Sequence, residues 1–308
     1  MRREAVPEVR ELPAIPQRPA DAHKGDFGRV LVVAGSPGMT GAGCMAALAA
    51  QKAGAGLVTL ALPASLHAIA EVKLTSAMSR PLPEGELAVI GEEAVAHVLR
   101  WAPDFSVVAL GPGVGRADVT VSAVRRLVAE LTLPVVVDAD GLNALVGATG
   151  TLDDASGVRI LTPHPGEMAR LMECSVADVQ KDRREAALRF AREHPVLLAL
   201  KGAGTVVTDG QGLYVNQTGN PGMATGGTGD VLTGMAAGLL CQGLDHFAAL
   251  QLAVFVHGLA GDIAARRNGP LSMTAEDVLD CVPAAFRLYQ RAQPPCAPRE
   301  VVALLGGD

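Results

Sequence analysis

Aromatic side chains are scarce in this sequence. Phe, Trp and Tyr make up 3% of the residues, whereas glycine contributes 35 of the 308. Hydrophobic residues still reach 49%, so small and β-branched side chains must fill a large core. Such a core is typical of helices packed closely on a parallel β-sheet.

Cysteine is also sparse, with five residues and no Cys-x-x-Cys pair. This small, odd number predicts neither a disulfide framework nor a zinc site. The first residues, MRREAVPEVRELP, lack the apolar segment of a secretory signal peptide. We therefore expect a cytoplasmic protein with reduced thiols.

Positive charge is not concentrated anywhere in the chain. The 26 Lys and Arg residues face 32 Asp and Glu residues, which gives a formal net charge of −6. This balance argues against a nucleic acid or a membrane surface as a partner. The longest apolar stretch, residues 244–260, is interrupted by Asp245, His246, Gln251 and His257. It favours a buried helix over a membrane span.

Apolar strand patterns alternate with helical patterns along most of the chain. Strands are predicted over residues 29–34, 56–62, 107–110, 134–137, 159–161 and 196–200, with a hairpin over 206–208 and 213–216. Helices are predicted over residues 40–52, 119–131, 177–193, 231–240, 246–266 and 274–292, with shorter ones after residue 140 and up to residue 172. This alternation predicts an α/β fold of three layers, with helices on both faces of a mostly parallel central sheet.

One domain accounts for these elements. We predict that it spans residues 25–293, after an N-terminal extension over residues 1–24 and before a C-terminal tail over residues 294–308. The extension carries four prolines and shows no periodicity. It is expected to lie on the surface.

Nearly every predicted strand ends in a loop rich in Gly, Pro or Asp. These loops read GSPGMTGAG (35–43), GPGVG (111–115), DADGLN (138–143), TPHPGE (162–167) and KGAGT (201–205). Ligands of such sheets bind at the carboxyl ends of the strands. The loops should therefore meet at one edge of the sheet and form a site there.

The stretch NPGMATGGTGDVL, residues 220–232, leads directly into a helical pattern. Its backbone amides and the positive end of the helix dipole predict an anion site. Asp230 within it would repel a phosphate, unless it removes a proton from a hydroxyl that attacks that phosphate. The alternative is that Asp230 only caps the helix.

Two of the loops carry acidic side chains with more than one interpretation. Asp138 and Asp140 alternate along the chain and should lie on the same side, which suits Mg²⁺ held through water, with Glu167 as a further candidate ligand. Alternatively, Asp140 caps the short helix that contains Asn143. Glu167 is otherwise the first-turn acid of its helix.

Three other loops could contact a ligand. His164 lies between two prolines that restrict its backbone, yet a lone histidine is often structural. Lys201 and its glycines suit a nucleotide phosphate, whereas a solvated lysine in a turn is the alternative. Residues 35–43 could present the helix amides of Ala42 and Gly43 to a ligand, or form only a tight turn.

The order of these motifs closely resembles that of the ADP-dependent NAD(P)H-hydrate dehydratases, which belong to the ribokinase-like superfamily. The resemblance covers roughly residues 24–287, and TPHPGE followed by NPGMATGGTGDVL is its most specific part. It implies a lyase that restores NADH or NADPH from the S epimer of the hydrated cofactor. ADP would phosphorylate the ring hydroxyl, and loss of phosphate would restore the double bond and leave AMP. Relatives often carry an aromatic residue where this chain has Met39.

The resemblance also assigns roles to individual residues. The nucleotide would contact Lys201, Gly202, Ala203, Gly204, Thr205 and Gly229. The transferred phosphoryl group would lie in an anion hole formed by Gly226, Gly227, Thr228 and Gly229. The hydrated cofactor would contact Ala42, Gly113, His164 and Asp230. Asn143 is a further candidate contact, because it lies in one of the strand-end loops. Asp230 would act as the catalytic base.

Three further expectations complete this interpretation. The chain should be a stand-alone dehydratase without an epimerase domain, and the family tendency implies a homotetramer. Gly234 and Gly238, four residues apart, should allow a close helix contact, either within the subunit or across an interface. The alternative function is an ATP-dependent kinase of a small alcohol, such as hydroxyethylthiazole or a sugar.

Overall fold

Nine strands form a single sheet in the computed structural model, which describes residues 6–306. The strands are β1 (Arg29–Val33), β2 (Leu57–Pro63), β3 (Met78–Leu82), β4 (Val107–Leu110), β5 (Val135–Val137), β6 (Arg159–Leu161), β7 (Val196–Leu200), β8 (Val206–Thr208) and β9 (Leu213–Val215). Their spatial order is β3-β2-β1-β4-β5-β6-β7-β8-β9. Neighbours are parallel from β3 to β7, and β8 is antiparallel to both β7 and β9. The mostly parallel sheet and the hairpin are confirmed.

Helices cover both faces of this sheet. They are α1 (Thr40–Lys52), α2 (His67–Lys73), α3 (Glu92–Trp101), α4 (Asp118–Glu130), α5 (Asp140–Ala144), α6 (Pro165–Leu171), α7 (Val176–Lys181), α8 (Arg183–Glu193), α9 (Thr228–Leu240), α10 (His246–Asn268), α11 (Ala275–Arg291) and α12 (Pro298–Ala303). Along β1, Val30 and Val32 pack into one apolar core, and Leu31 and Val33 pack into the other. Helices α3–α8 enclose the second core, and α1, α2 and α9–α12 enclose the first. The predicted three-layer architecture is confirmed.

The close contact between α1 and α9 depends on two glycines. A Cβ atom at Gly238 would lie 2.5 Å from the carbonyl oxygen of Ala50, and one at Gly234 would overlap the carbonyl oxygen of Ala46. The small residues therefore serve a contact within the subunit. Helix α9 lies against α1, β1 and β4 as a result.

Several elements differ from the sequence prediction. The sequence patterns do not predict strand β3 or helices α2 and α3. The sequence of β3, MSRPL, shows no apolar alternation and contains a proline. The single helix predicted over residues 177–193 is wrong. Asp182 leaves helical geometry and caps α8 by accepting a hydrogen bond from the amide of Glu185 at 3.0 Å.

The N-terminal segment does more than lie on the surface. The amide of Val9 donates to the carbonyl of Leu213 in the edge strand β9 at 2.7 Å. Leu12 is fully buried, and its amide donates to the carbonyl of Cys296 at 2.8 Å. The segment therefore covers one edge of the sheet and pairs with residues assigned to the C-terminal tail, in which Val301 is also buried. Residues 1–5 and 307–308 lie outside the described part of the chain.

Helix α10 contains most of the longest apolar stretch. By length and composition it could cross a membrane, but 78% of its most apolar window is buried inside the structure. That burial agrees with the predicted core helix.

Candidate active site

The strand-end loops meet at the carboxyl edge of the sheet. The amide of Gly35 donates to the carbonyl of Pro112 at 2.9 Å, which joins the loops after β1 and β4. The amide of Lys201 donates to the carbonyl of Pro163 at 2.8 Å, which joins the loops after β7 and β6. The structure thus assembles the predicted loops into one rim.

Asp230 lies beside this rim in the first turn of α9. The helix begins at Thr228, after Gly227 with φ 94°, so Asp230 occupies the third helical position. The interpretation of Asp230 as the helix cap is wrong, because Gly227 is the capping residue and no side chain caps this helix. The first amides of a helix have no partner within it, so they are available to an anion.

The environment of Asp230 favours its protonated form. Burial, followed by the charge of Asp138, raises the pKa of Asp230 to about 7, against the lowering effect of Lys201. A carboxyl group with such a pKa can accept a proton near neutral pH. This setting is suited to a general base.

A buried ionic cluster lies next to Asp230. The ammonium group of Lys201 donates to Asp138 Oδ1 at 2.7 Å and lies 3.8 Å from Glu167 Oε2. Asp138 is 1% exposed, and its other oxygen accepts a hydrogen bond from Thr233 Oγ1 in α9 at 2.7 Å. The interpretation of Lys201 as a solvated turn residue is wrong. Its charge is largely compensated inside the protein.

The acidic side chains do not form a metal cage. Among residues 6–306 no group of three or more His, Cys, Asp or Glu side chains could hold a metal ion. Asp138 and Glu167 face the Lys201 ammonium group, and Asp140 Oδ1 accepts from Arg116 Nε at 2.8 Å. The predicted pairing of Asp138 and Asp140 around Mg²⁺ is therefore not what the structure shows.

Asp140 instead ties together two loops. It accepts hydrogen bonds from the amide of Gly115 at 3.2 Å and from Asn143 Nδ2 at 3.3 Å. Its proposed helix-capping role is wrong, because Ala139 is the N-cap residue of α5 and no side chain caps that helix. Asn143 also accepts a hydrogen bond from Arg170 Nε at 3.0 Å. Its amide group is thus oriented by two charged neighbours.

His164 is held rigidly at the start of α6. Its Nδ1 accepts hydrogen bonds from the amides of Gly166 at 2.9 Å and Glu167 at 3.2 Å. Nδ1 therefore carries no proton, and the proton of the neutral ring is on Nε2. Burial lowers the pKa of His164, but half of the side chain, 51%, remains accessible. The imidazole has a structural role in capping and retains a surface that a ligand can contact.

Glu167 completes the same capping arrangement. Its Oε2 accepts a hydrogen bond from the amide of His164 at 2.7 Å, which agrees with its interpretation as a first-turn acid. Burial raises the pKa of Glu167, with Lys201 acting in the opposite direction.

Met39, Ala42 and Gly113 lie close together where the loops after β1 and β4 meet. A Cβ atom at Gly113, whose φ is 62°, would lie 2.8 Å from Met39 Cβ and 3.2 Å from Ala42 Cβ. The amide of Ala42 is not free, because it donates to the carbonyl of Met39 at 3.3 Å. Gly43 packs on Leu60. The predicted role of the Ala42 amide in ligand binding is therefore not supported.

A cavity of about 480 Å³ opens beside the start of α9. Its walls include the predicted nucleotide-binding residues Lys201, Gly202, Ala203, Gly204, Thr205 and Gly229. Sequence reasoning missed the rest of the lining, chiefly Asn216, Gln217, Thr218, Gly219 and His257. The polar run after β9 was a signal for the first four of them.

Arg183 is a further residue that sequence reasoning missed. Its guanidinium group donates to the carbonyls of Ala203 at 2.5 Å, Leu200 at 2.9 Å and Lys201 at 3.0 Å. These hydrogen bonds hold the KGAGT loop in shape from outside. A larger groove of about 1090 Å³, between the N-terminal segment and α11, contains none of the predicted site residues.

Comparison with known proteins identifies the family of this chain. A family model described as NAD(P)H-hydrate dehydratase matches residues 30–284. The bifunctional NAD(P)H-hydrate repair enzyme of Moorella thermoacetica is 49% identical over 275 residues, which are 89% of this chain and 52% of that enzyme. The corresponding enzyme of Coxiella burnetii is 40% identical over 275 residues, covering 87% of this chain and 52% of its own length. This chain thus spans about half the length of the curated relatives it matches.

Solved structures give the same result for the fold. The ADP/ATP-dependent NAD(P)H-hydrate dehydratase from Bacillus subtilis, co-crystallised with ATP/Mg²⁺, matches with a TM-score of 0.78 and 30% identity over 92% of this chain and 99% of that chain. A ribokinase-like superfamily protein from Enterococcus faecalis matches with a TM-score of 0.76 and 25% identity, covering 89% of this chain and 92% of its own. The predicted ribokinase-like fold is confirmed. On the family model and these relatives, this protein belongs to the NAD(P)H-hydrate dehydratase family.

Proposed function

We propose that this protein dehydrates the S epimer of hydrated NADH and NADPH with ADP as the phosphoryl donor. The observation that carries the proposal is Asp230, a buried carboxyl group with a pKa of about 7 beside helix amides and a cavity of nucleotide size. Family membership supplies the substrate class. The reaction makes the protein a carbon–oxygen lyase that repairs nicotinamide cofactors.

Asp230 and the start of α9 divide the first step between them. Asp230 removes the proton from the ring hydroxyl as that oxygen attacks the β-phosphorus of ADP. The bond from this phosphorus to the bridging oxygen breaks, and AMP leaves. The amides of Gly226, Gly227, Thr228 and Gly229 bind the phosphoryl group during its transfer. Phosphate then leaves the ring, a proton is lost from the neighbouring carbon, and the double bond returns.

The remaining residues position the two substrates. The loop from Lys201 to Thr205 and Gly229 hold the nucleotide, with Arg183 supporting that loop from outside. Ala42, Gly113, Asn143 and His164 contact the hydrated cofactor. In this proposal His164 offers its Nε2–H, because Nδ1 is already an acceptor for two backbone amides.

Magnesium accompanies the nucleotide in this proposal. The Bacillus dehydratase was co-crystallised with ATP/Mg²⁺. Because the acidic side chains of the rim are occupied by Lys201 and Arg116, they do not fit a protein-held magnesium ion. Mg²⁺ bound by phosphate oxygens and water needs no such cage.

The decisive experiment incubates the protein with hydrated NADH and either ADP or ATP. We expect the absorbance of the dihydronicotinamide to return, with one AMP formed for each ADP consumed. No recovery with either nucleotide would contradict the proposal. Phosphorylation of hydroxyethylthiazole or a sugar by ATP would instead support the kinase alternative.

The Asp230→Asn substitution tests the role of the carboxyl group. It keeps the size of the side chain but cannot accept the proton, so turnover should fall by roughly three orders of magnitude while ADP still binds. Asp178→Asn is a matched control, because Asp178 occupies the same third position in α7. Unchanged turnover in Asp230→Asn would remove Asp230 as the base.

The proposal extends to a cytoplasmic homotetramer, in line with the family tendency. Sedimentation velocity of the purified chain tests the assembly, since each subunit has a mass of 31.6 kDa. A species of four subunits supports the proposal, and a stable monomer contradicts it.

A further inference from the structure

Helix α10 contacts both ends of the glycine-rich run at residues 219–229, which precedes Asp230. At the start of the run, Asp262 accepts hydrogen bonds from the amide of Gly219 at 2.9 Å and from Asn220 Nδ2 at 3.0 Å. At its end, His257 Nε2 lies 2.9 Å from the carbonyl oxygen of Thr228. Between them, Gly258 and Gly261 have no room for a Cβ atom against Thr218 and Met223. Helix α10 therefore holds the backbone of this run in place through hydrogen bonds at both ends and close packing between them.

The chemistry of the hydrogen bond fixes the protonation of His257. A carbonyl oxygen can only accept, so the proton of the imidazole must be on Nε2. Burial lowers the pKa of His257 to about 4. The ring is therefore neutral at physiological pH, and it donates one hydrogen bond to Thr228 while lining the nucleotide cavity.

The carbonyl group of Thr228 shares a peptide plane with the amide of Gly229. Because the peptide is planar and trans, the direction of one group sets the opposite direction of the other. Holding the Thr228 oxygen therefore fixes the direction of the Gly229 N–H, and Gly229 lines the same cavity as His257. Gly229 is one of the donors that face the phosphoryl group in the proposed reaction.

We propose that His257 is a positioning residue that aims the Gly229 amide at the phosphate of the bound nucleotide. The inference rests on the proposed phosphoryl transfer at this site. It assigns to α10 a role in catalysis that extends beyond filling the core. His257 acts through Thr228 and touches no reacting atom.

The test compares two substitutions on the same helix. His257→Leu removes the hydrogen bond to Thr228. Gln251→Leu removes an equivalent one, because Gln251 is 2% exposed and its Nε2 donates to the carbonyl of Glu11 at 2.7 Å. Both substitutions should lower the melting temperature, and only the first lies near the nucleotide. His257→Gln restores a donor.

Affinities are measured by calorimetry for ADP and for adenosine, which lacks phosphate. His257→Leu should weaken ADP binding by about tenfold, the worth of one aligned hydrogen bond to a charged group, and leave adenosine within about twofold. His257→Gln should recover most of this loss, and Gln251→Leu should change neither ligand. Equal weakening of both ligands, or no weakening of ADP, would overturn the inference.

A measurement on the unmodified protein covers the case in which His257→Leu does not fold. Nitrogen-detected NMR should show His257 as the neutral Nε2–H tautomer, and its resonance should shift when ADP binds but not when adenosine binds. An Nδ1–H tautomer would overturn the inference. Turnover of hydrated NADH by the same sample reports on the proposed function separately.

Discussion

Asp230 is placed where its charge is costly. Burial and the charge of Asp138 both oppose its ionisation. Of the charged neighbours that shift its pKa, only Lys201 favours ionisation. The carboxylate is therefore a stronger base than an exposed aspartate. Activity that depends on this base should follow its ionisation.

We predict that kcat/KM for the hydrated cofactor rises with pH through a midpoint near 7, because only the ionised Asp230 accepts a proton. A pH profile at constant ionic strength measures this midpoint. The dissociation constant of ADP over the same range is the control, since the nucleotide also titrates. A midpoint near the usual value for aspartate would show that Asp230 is not the base.

Lys201 lies between two carboxyl groups that have little access to water. The side chains of Asp138 and Glu167 are 1% and 6% exposed, and that of Lys201 is 19% exposed. Removing one partner of such a cluster leaves an uncompensated charge inside the protein.

The Lys201→Met substitution should therefore reduce the free energy of unfolding by about 3 kcal/mol. The double variant Lys201→Met, Asp138→Asn should recover most of the loss, because it removes the stranded charge as well. Denaturant unfolding without nucleotide measures both. Equal destabilisation in the single and double variants would mean that Lys201 stabilises the fold by packing alone.

At the scale of elements, α1 and α9 bring the site together. Their glycine-mediated contact places the start of α9 beside the loops after β1 and β5. A single added methyl group at the contact would push the two helices apart.

The Gly238→Ala substitution should lower the free energy of unfolding by about 2 kcal/mol, because its Cβ atom would lie 2.5 Å from the Ala50 carbonyl oxygen. Gly41→Ala is the control within α1, since nothing lies within 4 Å of an added Cβ atom there. That variant should be neutral or more stable by about 0.5 kcal/mol. Similar destabilisation of both variants would contradict the packing argument.

The sequence predicts those elements whose patterns are local. The buried strands and the loops that close them could be read from apolar runs that end in Gly, Pro or Asp. The pairing of Lys201 with Asp138 spans 63 residues and depends on the order of strands in the sheet, which no local pattern encodes. The role of His257 also cannot be predicted from the sequence, because a polar residue inside an apolar helix does not show which loop it contacts.

The first residue of α9 also differs from the one that the sequence predicts. Because no side chain caps α9, the sequence pattern predicts its beginning at Val231 and leaves Asp230 as a possible cap, whereas the helix begins at Thr228. Gly227 adopts a positive φ and ends the loop without any polar side chain. A backbone conformation of this kind leaves little trace in the sequence.

At the scale of the whole molecule, the N-terminal segment connects distant parts of the chain. It pairs with β9, buries Leu12 and reaches Cys296 near the C-terminal helix. An edge strand covered in this way is protected from pairing with other chains.

The Leu12→Ala substitution should lower the free energy of unfolding by about 3 kcal/mol and increase aggregation, because it loosens the cover of β9. Leu271→Ala removes the same atoms from a side chain that is 97% exposed and should change stability by less than about 0.5 kcal/mol. Denaturant unfolding and light scattering measure the two effects. A neutral Leu12→Ala variant would show that the segment contributes no stability.

The position of α9 has a consequence for the synthesis of this protein. The helix that carries Asp230 covers β1 and β4, yet it follows them by more than a hundred residues in the chain. While a ribosome makes the first half, only α1 and α2 cover this side of the growing sheet. This core therefore stays incomplete until α9 and the helices after it have emerged, so the first half of the sheet cannot finish folding before the segment that carries Asp230 has been made.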